Sequence, residues 1–248
     1  MTTFNSSDWS APPPWWSAPP AEQEVPMPKH RLYKFNPQKI FWRINDYRLF
    51  EILSWDKVIG KTVHGTAWLA GGVFRGLLDK QDEIMDFDMF FSNTYRSAEV
   101  AVELEERGFE CIFKCPKGEL TTYKKVLSPP ETSKLEPRRH GSDTMKVQLI
   151  TKQVYQTTDY LLASFDVNPC RFAYDGEFLY TDRDALRSVR KRELSLNNCT
   201  HPNATFKRIM KYKDKGYKVT NECIDQFVNA VYDMGINHEP LNRQFYVD

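Results

Sequence analysis

Ala67-Trp-Leu-Ala-Gly-Gly-Val-Phe-Arg75, followed by Met85-Asp-Phe-Asp-Met89, is the stretch on which the fold turns. An apolar run ends in two glycines, an arginine follows three residues later, and two carboxylates then flank one aromatic. Adjacent glycines let bare backbone N–H groups come close to a phosphate, and a nearby arginine supplies a cation. Divalent ions need hard oxygen ligands converging on one point. On a strand, residues i and i+2 point to the same side, so Asp86 and Asp88 converge while Phe87 faces the core. Taken singly, these parts are unspecific: a glycine pair after an apolar run is usually a turn, and Asp-x-Asp arises by chance. Their order along a strand–turn–helix–strand unit is what makes a site of them.

The two halves also have a characteristic joint spacing, with 13 residues between Gly72 and Asp86. A glycine pair, that interval and an Asp-apolar-Asp-apolar strand resemble the signature of the polymerase-β-like nucleotidyltransferase superfamily. Leu69-Ala-Gly-Gly-Val-Phe-Arg75 with Asp86-Phe-Asp88 is similar to the head domain of CCA-adding tRNA nucleotidyltransferases and bacterial poly(A) polymerases. Where those families carry an acidic residue after the arginine, this chain has Gly76. A second segment, Asp166-Val-Asn-Pro-Cys-Arg-Phe-Ala-Tyr-Asp175, aligns without gaps to the CCA-adding stretch that begins Asp-Phe-Thr and closes Ala-Tyr-Asp. The resemblance makes Asp166 the third acidic residue of the pocket. The family's arginine before it is Phe165 here, so Arg171 or the Arg138-Arg139 pair is the conjectured replacement. The alternative is that Asp166 faces solvent or caps a turn.

A third, weaker resemblance covers Thr205-Phe-Lys-Arg-Ile-Met-Lys-Tyr-Lys-Asp-Lys-Gly-Tyr217, which looks like the neck helix of the same enzymes. Arg208, Lys211 and Lys215 lie three and four apart, hence on one helical face. In those enzymes this helix touches the nucleotide, so the resemblance implies that Arg208 and Lys211 do so here. The Glu-Asp-x-x-Arg base-reading element is absent, which leaves the choice among ATP, CTP and the other NTPs open.

The fold class expected is mixed α/β (α+β), a mixed-sheet nucleotidyltransferase head followed by a short helical neck. Residues 1–28 hold seven of the fifteen prolines and three of the six tryptophans, and read as a disordered arm. The head is expected over residues 29–181 and the neck over 182–248. Within the head, 37–62 reads as helix, 66–70 as strand, 73–78 as the start of a helix and 84–91 as strand. Further on, 98–107 reads as helix, 109–114, 120–127 and 146–150 as strands, and 128–143 as a loop. Residues 161–174 are expected to hold strand segments around a short helical piece, before a turn at Asp175-Gly176. The neck should contain helices over 182–192, from Asn203 or Thr205 to Gly216, and over 222–234.

Composition narrows the function. No run approaches ~18 consecutive apolar residues, so no membrane span is indicated, and the N-terminus lacks the basic and apolar regions of a secretory signal. Five scattered cysteines suit free thiols in a reducing cytoplasm. Cys111 and Cys115 invite a zinc reading, but strand thiols without a second ligand pair are the stronger one. The five histidines show no triad-like or metal-binding spacing. Outside residues 1–27 the chain carries 34 basic against 30 acidic residues, and within 183–218 eleven against three, a local charge of +8. Such a patch suits a polyanion or is a solvated helix face.

The resemblance implies two-metal phosphoryl transfer, with two Mg²⁺ held by Asp86, Asp88 and Asp166. Gly71, Gly72 and Arg75 would hold the β- and γ-phosphates of the NTP. The first acceptor expected is an RNA 3′ end, contacted through the 183–218 patch; only 32 residues follow Gly216, too few for the RNA-gripping body and tail of the CCA-adding family. The alternatives are transfer to a protein or small molecule, and a nucleotide- or RNA-binding module without catalysis. Oligomeric state is not indicated.

Overall fold

The computed structural model describes residues 31–36, 55, 58–79, 86–127 and 144–233. The arm over 1–28, most of the helix expected over 37–62, the loop over 128–143 and the Arg138-Arg139 pair lie outside these residues.

The strands are β1 (Tyr33–Phe35), β2 (Gly60–Thr62), β3 (Gly65–Ala70), β4 (Phe87–Phe91), β5 (Glu110–Lys114), β6 (Leu120–Val126), β7 (Thr144–Ile150), β8 (Phe172–Tyr174) and β9 (Leu179–Thr181). They form one sheet in the order β1-β9-β8-β3-β4-β7-β6-β5, with β2 also on β3. The β4–β7 pair is parallel and the other pairs are antiparallel. The helices are α1 (Gly72–Asp79), α2 (Thr94–Glu106), α3 (Thr158–Ser164), α4 (Arg183–Lys191), α5 (Pro202–Asp214) and α6 (Asn221–Asp233). A two-stranded parallel ribbon, β10 (Glu193–Leu194) and β11 (Lys218–Val219), ties the segments around α5.

Period-two alternation explains the layering. On β4, Phe87, Met89 and Phe91 enter a core shared with Leu69, Phe74, Val100 and Leu104, under α1 and α2. Phe90 enters a second core with Trp68, Leu161 and Leu162, under α3. Each such side chain, fully buried, contributes roughly 1.5–3 kcal/mol relative to exposure. Asp88 shares the parity of Phe90, and it lies where β3 and β4 end beside the glycine turn. A third core, Val167, Leu194, Leu196, Ile209, Tyr212, Tyr217 and Cys223, holds α5 and α6.

Several boundaries differ from expectation. Residues 60–62 are a strand rather than helix, since β2 pairs with β3 from Gly60↔Ala67 to Thr62↔Gly65. Leu161 lies in helix α3, which Thr157 caps by accepting from the Tyr160 N–H. The apolar run Leu161-Leu162-Ala163 fits a buried helix and a strand equally well. Helix α5 starts at Pro202, with His201 as its N-cap, rather than at Asn203 or Thr205. A proline at the first helical position lacks only an N–H that would be unpaired there anyway. None of the described helices is long and apolar enough to cross a membrane.

Candidate functional site

The glycine turn and the carboxylates meet. Ala70 pairs with Asp88 across β3 and β4, and Gly71 follows with φ +86°, a left-handed conformation costly for any residue with a Cβ. A methyl group added to Gly71 would lie 3.5 Å from Asp88 Oδ2 and 3.6 Å from the Phe165 ring. Gly72 opens α1, and a methyl group there would lie 3.6 Å from the Tyr212 hydroxyl. The Gly71 N–H is taken by the Phe172 carbonyl at 2.9 Å, and the start of α1 at Gly72 lies beside it.

Asp88 is held in an unfavourable state. Burial, and then the charge of Asp86, push its pKa up to about 7, while Lys211 and Arg208 pull it back down. Asp86 lies just before β4 rather than on it, and its effect is what two neighbouring carboxylates produce. Oδ1 of Asp88 is buried and has no hydrogen-bond partner among the described residues. An orphaned carboxylate oxygen beside a second carboxylate is the donor set a divalent cation satisfies, so these residues fit Mg²⁺.

Helix α5 completes the site. Ala204, Thr205, Ile209 and Tyr212 point into the protein, which turns Arg208 and Lys211 along the flank toward Asp88. Tyr212 was not singled out from sequence. Its hydroxyl lies 2.7 Å from Cys170 Sγ and beside Gly72, and nothing in a Lys-Tyr pair on a helix announces that placement.

Asp166 is engaged by helix α5: its Oδ2 accepts from Arg208 Nη1 at 2.6 Å and from Thr205 Oγ1 at 2.9 Å. Its Oδ1 accepts the Val167 N–H at 2.9 Å. Among the described residues no three His, Cys, Asp or Glu side chains form a group that could hold a metal. Asp166 anchors α5 and aims Arg208; burial works against the Arg208 charge, but Asp166 more than offsets this and raises its pKa.

Arg75 is engaged within the protein. It is buried, its Nη1 lies 3.8 Å from Asp79 Oδ2, and its guanidinium sits 5.2 Å from the Tyr212 ring and 6.0 Å from that of Tyr217. Asp79 is further bound by Arg192 and by the Tyr217 hydroxyl at 3.3 Å. Arg75 thus locks α1 to the neck. Arg75→Ala is expected to cost about 1–3 kcal/mol in urea unfolding and to change the KM for NTP little; a large KM effect without a stability loss would support the phosphate role.

Arg171 is no substitute for the cation missing at Phe165, because it is buried against Asp182 at 2.6 Å. A cation beside Asp166 is Arg208, from α5. The +8 segment is not one open surface: Arg192 is turned inward onto Asp79 and the Lys215 carbonyl.

Sheet, glycine turn and paired carboxylates together make a nucleotidyltransferase-like fold. A CCA-adding enzyme solved in complex with ATP is similar at 13% identity and TM-score 0.55, over 81% of this chain and 46% of that one. A Thermotoga maritima CCA-adding enzyme complexed with tRNA gives 14% and 0.53, over 81% and 46%. A tRNA-processing enzyme in an apo form gives 17% and 0.53, over 75% and 48%. The chain spans about half the length of these structures. Comparison with curated proteins gives no match. The sequence pattern of "Gad2: Gabija anti-defense 2 family protein" matches residues 43–192. The chain belongs to the Gabija anti-defense 2 family.

Proposed function

We propose that this chain is a metal-dependent nucleotidyltransferase that moves NMP from an NTP to an acceptor hydroxyl, with an RNA 3′ end as the acceptor. A head over residues 29–181 and a neck over 182–248 would carry the reaction in a reducing cytoplasm. The observation that carries it is Asp88: half-buried beside Asp86, with one buried, unpartnered oxygen, next to a glycine turn and two cations.

Asp86 and Asp88 would hold Mg²⁺, which supplies charge neutralisation at the triphosphate and a lowered pKa for the attacking hydroxyl. The chain's own groups position the rest. Gly71 and Gly72 let the start of α1 approach phosphate oxygens. Lys211 and Arg208 supply positive charge on the side facing Asp88, and Asp166 keeps Arg208 in place. Such fixed charges act mainly by orientation and electrostatic stabilisation of phosphoryl transfer.

The test is labelling. The protein is incubated with each α-labelled NTP, Mg²⁺ and total RNA, and the RNA and protein fractions are counted separately. Label in RNA, falling steeply as salt rises, supports the reading, because each neutralised phosphate releases counterions. Lys211→Glu is expected to reduce labelling by about tenfold or more, since it reverses a charge aimed at the triphosphate. The Gabija anti-defense name of the family favours a second reading, in which the acceptor hydroxyl belongs to a protein of the opposing defence system. Label in protein, insensitive to salt, would put that reading first, and no label in either fraction would leave a binding module.

A further inference from the structure

Helices α5 and α6 leave a broad apolar face in solvent. Phe206 and Met210 on α5 are 51% and 39% exposed, and Ile224 and Val228 on α6 are 49% and 55% exposed. Val231 and Tyr232 continue the α6 stripe. The two stripes join where the Phe206 and Phe227 rings lie 5.7 Å apart. Scattered apolar side chains on a surface need no explanation, but a contiguous group spread over two packed helices marks a contact surface.

The charges beside the stripes differ in sign. Around Phe206 and Met210 stand Lys207, Lys211 and Lys215 against Asp214, a net +2, while Arg208 is paired with Asp166. Helix α6 carries Glu222, Asp225 and Asp233 and no basic residue, a net −3. One molecule therefore presents, side by side, an apolar stripe in a basic setting and another in an acidic setting. That is the requirement for a self-complementary contact: a two-fold axis lays the α6 of one copy on the α5 of the other, twice. Pairing α5 with α5 would set like charges together, which disfavours that arrangement.

We propose that the α5/α6 face is the interface of a two-fold homodimer, with α6 of each copy packed on α5 of its partner. Lys211 lines the same surface hollow as Phe206 and Met210, so the contact borders the site.

Analytical ultracentrifugation of the full chain, from low to high micromolar concentration, tests this. A reversible monomer–dimer equilibrium is expected, and Val228→Asp should weaken it by about tenfold or more, the size of a central interface side chain. Val228 is exposed, so the variant's melting curve should match that of the parent. Charge reversal then tests the arrangement. Lys213→Glu flanks the Phe206 stripe and Asp225→Lys flanks Val228; each variant alone should dimerise more weakly. Mixed, the two should form a heterodimer tighter than either homodimer, because both of its α5–α6 contacts regain opposite charges. A chain that stays monomeric throughout overturns the proposal, and one that becomes dimeric only after removal of residues 234–248 shows that its own terminus covers the face. A dimer indifferent to Val228→Asp, or no preference for the mixed pair, overturns it equally.

Discussion

Asp88→Asn is expected to abolish transfer, by roughly a thousandfold or more, while making the metal-free protein more stable. The two effects share one cause. Asp88 is half-buried beside Asp86 with its buried Oδ1 unpartnered, and its pKa is pushed up to about 7. Above that pH the folded protein carries a desolvated charge next to another of the same sign, and a cation relieves both. Asparagine keeps the shape and removes the charge, hence the strain, and with it the metal ligand.

The pH dependence follows in sign. In the unfolded chain an aspartate titrates near ~4, so between that value and about 7 the folded state binds more protons at Asp88 than the unfolded state does. Stability associated with this group is fully present below pH ~4 and declines as the pH rises through about 7. Thermal melts of the metal-free protein across this range should show the decline, and Asp88→Asn should flatten it. Mg²⁺ at neutral pH should raise the melting temperature of the parent and not of the variant, because a ligand stabilises the state that binds it. Equal stabilisation of both by Mg²⁺ would move the metal elsewhere, whatever the activity assay shows.

What could be read from sequence here is what depends on short-range geometry. Asp86 two residues before Asp88, and Arg208 and Lys211 three apart on a helix, need only a local period to be expected on one side, although β4 begins after Asp86. The α4 start was legible for the same reason: Asp182 caps it through the Asp184 and Ala185 N–H groups. The surroundings of Asp166 and the rings beside Arg75 were not legible because these partners are distant in sequence. The Asp166–Arg208 contact spans 42 residues, and Tyr217 meets Asp79 across 138. A motif shows that a residue is placed for some purpose; only the fold shows whether an open space or a buried counter-charge stands in front of it. Arg75 and Arg171 are both arginines beside the matched segments, and both are engaged within the protein.

Asp182→Ala is expected to be the most destabilising single change in the described residues, at about 3–5 kcal/mol. Oδ2 of Asp182 lies 2.6 Å from Arg171 Nη2, and the two side chains are 0% and 2% exposed. Oδ1 accepts the Asp184 and Ala185 N–H groups, both at 2.9 Å, as the N-cap of α4. Arg171 in turn reaches the Leu162 carbonyl at 3.2 Å and Asn168 Oδ1 at 3.1 Å. Removing Asp182 leaves a guanidinium buried without its counter-charge, and burial already lowers the Arg171 pKa. It also removes a helix cap worth about 1 kcal/mol, a loss that overlaps the first rather than adding to it. Against a typical stability of about 5–15 kcal/mol this is a large share. Asp182→Asn should fall between, since it keeps an oxygen for the cap and loses the charge. Arg171→Met with Asp182→Leu should recover much of the loss, because a buried pair replaced by apolar groups of similar volume leaves no orphaned charge. Urea unfolding at one pH measures all three. The pair lies behind α3 and α4, so the Asp182→Ala variant, assayed cold while still folded, should retain its transfer activity. A loss below about 1 kcal/mol would mean that water reaches Arg171 and that the head depends on this pair far less than its burial implies.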